Sequence, residues 1–159
     1  MNTSIKIGIA DYKISKAPDR LMTLGLGSCV GITMYDRIKK VGGLAHIMLP
    51  KNNNPEKRSS KFADNAIEDM LGELLKIGVK TRNIETKIVG GAQMFSFAGA
   101  NNKKSVGHRN VVAVKKILME LKLKIKIEDV GGTFGRTIEL NLENGELMVK
   151  TIGHGEKMI

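Results

Sequence analysis

At 159 residues the chain is long enough to bury one sizeable core and too short for two ordinary domains, so a single domain over 1–159 is expected. Hydrophobic content of 42% against 4% aromatic calls for an aliphatic core helped by nine Met, and a single cysteine excludes an internal disulfide and any Cys-x-x-Cys zinc or redox motif. The formal charge of +10 favours an acidic partner, but the Lys residues are spread along the chain without an Arg-rich tract or interleaved aromatics, which argues against nucleic-acid binding. No stretch approaches the ~20 apolar residues of a membrane span and no signal-peptide core opens the chain, so the sequence predicts a cytoplasmic protein.

Residues 5–9 and 12–15 alternate weakly, as an opening strand or bent strand would. Pro18-Asp19 makes a turn, and 21–24 is a second short strand that leads into the glycine-rich run Gly25-Leu-Gly27-Ser28-Cys29. Residues 30–35 are rich in β-branched side chains and too few for a helix, which predicts a strand with Cys29 at its start. After the polar turn 36–40, residues 41–49 are apolar enough for a central strand buried on both faces. Antiparallel pairing across that turn brings residues near 30 and 46 together. Cys29 and His46 then share one end of a hairpin.

Residues 50–61 hold two of the three Pro and three consecutive Asn, and read as a surface loop beside His46, a lid or binding edge. Ser59 or Ser60 is the expected cap of a helix in which Phe62, Ala63, Ala66, Ile67, Met70, Leu71, Leu74 and Leu75 recur at helical spacing, with Gly78 ending it. A strand over 85–89 closes in Gly90-Gly91-Ala92, and a connection over 93–107 mixes Gly, Asn, Lys and two Phe. A second helix follows, with Val111, Val114, Ile117, Leu118 and Leu121 inward. Strands are expected over 125–130, 137–142 and 147–152, with a hairpin turn at Asn144-Gly145 and a loosely held tail over 153–159. Strands in runs with few helices give the α+β class: a layered α/β sandwich of mixed, largely antiparallel sheets flanked by two to three helices.

Three chemistries compete for the glycine run. A dinucleotide loop would want Gly where Val30 stands and a helix after it, where a strand is expected, so no nucleotide cofactor is predicted. Cys29, His46, His108 and His154 lack paired metal-ligand spacings, so no metal is predicted. A Cys-His site is coherent: Cys29 is the nucleophile, His46 pairs with the thiolate and protonates the leaving amine, and amides near Gly27, Ser28 and Cys29 form an oxyanion hole. Thr23 is either a strand former or the neutral group that orients the imidazole.

Five segments, Thr23-Leu-Gly-Leu-Gly-Ser-Cys29, Gly43-Leu-Ala-His46-Ile-Met-Leu-Pro50, Lys87-Ile-Val-Gly-Gly-Ala-Gln-Met-Phe95, Val106-Gly-His-Arg-Asn110 and Gly131-Gly132 with Gly135-Arg136, resemble in order and spacing the chemoreceptor glutamine deamidases called CheD. The resemblance implies hydrolysis of glutamine side-chain amides to glutamate on the cytoplasmic helices of methyl-accepting chemotaxis receptors, with glutamyl methyl esters as further substrates of some members. It puts Cys29 on the nucleophile, His46 on the base and Thr23 on the orienting residue. It also implies a CheC-type phosphatase as partner and sets Gly90, Gly91 and Ala92 on a partner or substrate edge. The rival reading is a non-catalytic docking module that regulates such a phosphatase or the receptors.

Overall fold

The computed structural model describes residues 3–94 and 105–159. Most of the connection read over 93–107, including its two Phe, lies outside them. The described chain runs β1 (Ser4–Lys6), β2 (Asp11–Lys16), β3 (Arg20–Leu26), β4 (Val30–Asp36), β5 (Val41–Ile47), α1 (Ala63–Lys76), β6 (Ile84–Gly90), α2 (Val106–Glu120), β7 (Ile125–Val130), β8 (Arg136–Asn141), β9 (Leu147–Thr151) and β10 (Gly155–Met158), with a single 3-10 turn at Thr81–Asn83. One sheet has the order β1-β3-β8-β9-β10 and the other β2-β5-β4-β6-β7. Among the described strands only β1/β3 and β6/β7 pair in parallel. The α+β sandwich of mixed, largely antiparallel sheets is therefore the fold observed.

The two sheets stack face to face, and both helices cover the outer face of the second sheet, giving three layers with two cores. Alternation along β4 and β5 sorts their side chains. Ile32, Met34, Ala45 and Ile47 meet Ile67, Met70, Val114 and Leu118 of the helices. Leu44 and Tyr35 point the other way, to Leu26, Val89, Ile138 and Leu140 between the sheets. Every residue of β4 is buried, which is why its sequence shows no polar alternation. The β4–β5 register pairs Gly31 with His46 and Val30 with Ile47, as the hairpin reading required.

A bulge in β3 sets the site. Thr23 pairs with Ile138 and Leu26 with Arg136, so two residues of β3, Leu24 and Gly25, lie opposite Thr137 alone. Gly25 takes φ +70, a left-handed conformation that favours glycine. The extra residue shifts the alternation so that Thr23 and Leu26 both face inward, and both are buried.

Three expectations need correction. The cap of α1 is Phe62, with no side-chain hydrogen bond, in place of Ser59 or Ser60. The extension of β5 supplies the acceptor: Ala63 N–H donates to the Leu49 carbonyl. The loop over 50–61 is tied down to α1, since Asn65 Oδ1 accepts from Asn52 Nδ2 and Ser59 N–H, which does not suit a lid. Residues 155–158 of the expected loose tail form β10, paired with β9, and Lys87 Nζ donates to the Ile159 carbonyl at 2.8 Å.

Candidate functional site

Thr23 of β3 and His46 of β5 meet across the inter-sheet layer, both fully buried, with Thr23 Oγ1 2.7 Å from His46 Nδ1. The proton on this contact follows from the neighbours. Thr23 Oγ1 is also 2.7 Å from the Ile7 carbonyl, which can only accept, so the one hydroxyl hydrogen goes there. Nδ1 must then carry the hydrogen and donate it to Oγ1. In the neutral ring this leaves the lone pair on Nε2.

Nε2 is buried and has no hydrogen-bond partner among the described residues. An unpaired buried acceptor typically costs ~1–3 kcal/mol, so its presence calls for a reason, and a base kept ready for a proton is one. Burial alone pushes the imidazole from its ordinary 6.5 down to about 4. No carboxylate stands behind it to offset that, because the orienting group is a neutral hydroxyl.

Cys29 follows the Gly27-Ser28 turn, one residue before β4, half-buried and packed against the inter-sheet core in the same layer as His46. Burial pushes its thiol up, with its own backbone N–H pulling weakly the other way. The two shifts run against the thiolate–imidazolium pair read from the sequence. Both shifts favour the neutral forms of the two groups, because burial penalises charge.

The turn itself is held from below. Gly91 N–H donates to the Cys29 carbonyl and Ala92 N–H to the Gly27 carbonyl, each at 2.8 Å. Gly90 sits so close that a Cβ would overlap the Cys29 carbonyl. Gly90, Gly91 and Ala92 are buried and support the turn that carries Cys29, while Gly91 and Ala92 also line the clefts beside it. Gly27 N–H is committed to the Gly25 carbonyl at 3.0 Å, whereas the N–H groups of Ser28 and Cys29 carry no backbone hydrogen bond among the described residues. The possible oxyanion donors narrow to those two.

Beside Ser28 lies a cleft of about 350 Å³ lined by Ala92, Gln93, Met94, Ser105, Val106 and Gly107. Met94 and Val106 are exposed and apolar there, and Met94 covers Gly27. His108 opens on a separate cleft of about 300 Å³, and His154 packs edge-on to Phe134 with centroids 4.1 Å apart. Among the described residues no three side chains of metal-ligating type gather.

One site residue escaped the sequence reading. Asn110 of α2 is fully buried and donates from Nδ2 to the Ser28 and Met48 carbonyls, both at 2.9 Å. The only hint in the sequence was its place at the end of Val106-Gly-His-Arg-Asn110, where helical spacing marks an inward face.

A family model described as CheD chemotactic sensory transduction matches residues 48–151. The match begins beyond His46, so it covers the helices and the later strands but not the Cys29 turn. Full-length relatives cover that too. The chain is 50% identical over 157 residues, 98% of it and 97% of the relative, to the probable chemoreceptor glutamine deamidase CheD of Caldanaerobacter subterraneus subsp. tengcongensis. It is 48% identical over 162 residues, the whole of both chains, to the chemoreceptor glutamine deamidase CheD of Halalkalibacterium halodurans. It is 46% identical over 161 residues, again the whole of both, to a probable chemoreceptor glutamine deamidase CheD of Syntrophomonas wolfei.

Proposed function

The chain belongs to the CheD family, and from that premise we propose that it is a glutamine deamidase of chemotaxis receptors, working in the cytoplasm through Cys29, His46 and Thr23. The observation that carries the chemistry is the Ile7–Thr23–His46 chain of hydrogen bonds, which leaves Nε2 unprotonated and unpartnered in the layer that holds Cys29. As Sγ attacks the amide carbon, Nε2 takes the thiol proton, so that charge forms only with the new bond. The Ser28 and Cys29 N–H groups receive the oxyanion. Nε2 then returns the proton to the amide nitrogen, ammonia leaves, and a glutamyl thioester remains on Cys29. Water deprotonated by Nε2 hydrolyses it to glutamate and frees the thiol.

A glutamyl methyl ester would follow the same steps with methanol as leaving group. The substrate is a receptor helix rich in Glu, towards which a protein of net charge +10 is attracted, and a CheC-type phosphatase would compete for the same cleft. Binding should weaken with salt over the ~10 Å screening length at 0.1 M.

The test is ammonia release with mass spectrometry of a receptor cytoplasmic fragment incubated with wild-type protein, Cys29→Ala and His46→Ala. Conversion of discrete glutamines to glutamate by the wild type alone is the expected result. No conversion, with the fragment or a phosphatase still bound, would replace the enzyme by a docking module.

A further inference from the structure

We propose that Asn110 is a positioning residue that fixes the Ser28–Cys29 peptide relative to His46 and aims the Cys29 N–H at the oxyanion. This rests on the reading of Cys29 and His46 as the reacting pair. The β4–β5 ladder ends at Val30 and Ile47, so beyond that pair no ladder hydrogen bond joins the turn that carries Cys29 to the chain leaving His46. Asn110 supplies the missing link with one side chain, donating to Ser28 on one side and to Met48, two residues past His46, on the other.

Its orientation is unambiguous. Both acceptors are carbonyls, so both Nδ2 hydrogens are used, and turning the amide over would set Oδ1 against two oxygens. Oδ1 is itself buried without a partner among the described residues. The polar contribution of the residue therefore lies in the two donations.

The Ser28 carbonyl and the Cys29 N–H belong to one planar peptide and point in opposite directions. A donor that holds the carbonyl therefore sets where the N–H points, without touching the substrate. The helix that carries Asn110 is itself registered to the turn. Gly107 approaches the Gly91 and Ala92 carbonyls so closely that a Cβ would overlap Ala92 O, and Ala92 N–H binds the Gly27 carbonyl. The turn is thus held on one side by the end of β6 and on the other by α2.

The experiment compares Asn110→Asp and Asn110→Leu, close in size and lacking the two donors, with Cys29→Ala and His46→Ala. The readouts are kcat and KM for receptor-fragment deamidation, thermal midpoint, and the pH profile of iodoacetamide alkylation of Cys29. The expected result is a loss of about 10–100-fold in kcat, as a displacement on the scale of 1 Å produces, with KM little changed and the alkylation profile kept. A merely structural role would instead lower the thermal midpoint and raise the alkylation rate towards that of an open thiol. Folded Asn110 variants with wild-type kcat, beside inactive Cys29→Ala and His46→Ala, would overturn the proposal. Activity surviving in those two alanine variants would overturn the reading of the site instead. The unsubstituted protein gives an independent check, since both Asn110 side-chain amide protons should resist exchange with water, and fast exchange would refute the link even if neither variant folds.

Discussion

The second sheet has two buried faces, and they do different things. The face under α1 and α2 is filled with aliphatic side chains, and Thr86, between Ile84 and Ile88 on β6, is a buried hydroxyl placed among them with no partner among the described residues. The face against the first sheet is also aliphatic, but the layer it forms holds His46 and Lys87 of the second sheet and Thr23 and Arg136 of the first as well. Burial is equally complete on both sides. The difference is that inter-sheet polar groups meet partners arriving from the opposite sheet and its turns: His46 for Thr23, Gly145 for Lys87, Gly131 for Arg136. A layer made by two separate sheets brings backbone carbonyls from distant parts of the chain to one buried place, and helices, whose carbonyls are used internally, do not.

The contrast is broken most strongly by His46→Ala. Turnover should fall by about 10²–10⁴, the usual contribution of a positioned general base, while the fold persists, as steady-state rates and circular dichroism would register. Ile67→Ala, on the helix-covered face, should do the reverse. It should lower stability by about 2–5 kcal/mol in denaturant titration and leave kcat unchanged at temperatures where the protein stays folded.

Acid sharpens the comparison, because only the inter-sheet face holds a buried imidazole. With the His46 pKa near 4 when folded and 6.5 when unfolded, the unfolded chain binds the extra proton between those values. Stability is full above pH 6.5 and declines as the pH falls towards 4, by about 3 kcal/mol in all. Unfolding curves at pH 7 and 4 would measure it, and His46→Ala should remove this component.

The smallest effect comes from one substitution made twice. Thr86→Val deletes an unpartnered hydroxyl and should stabilise the protein by about 1 kcal/mol without touching activity. Thr23→Val removes the acceptor of Nδ1 and the donor to Ile7, and should lower kcat. Equal outcomes for the two would erase the distinction between the faces.

The hairpin was legible from the sequence because a short polar turn between two apolar runs fixes register, so the pairing of Gly31 with His46 needed no distant information. What the small residues at 90–92 support was not legible from spacing. Their small size answers to the Cys29 carbonyl and to Gly107, contacts made across the fold that spacing does not encode. Burial likewise pushes the Cys29 thiol up and the His46 imidazole down, a penalty on charge that residue types alone do not reveal. Ser59 and Ser60 looked like caps because the alternative acceptor, Leu49, lies outside the helix. Strand β10, exposed along its whole length, shows no alternation to find.

That last strand bears on how the molecule keeps to itself. The first sheet is bounded by β1, with three residues, and β10, with four, whose exposed Glu156 and Lys157 stand among the unpaired edge groups. Edges this short and charged make poor templates for a neighbouring chain, and Lys87 pins the end of β10 from beneath. At the concentrations a cell or a crystallisation drop imposes, this sheet should resist growing into a polymer by edge-to-edge addition.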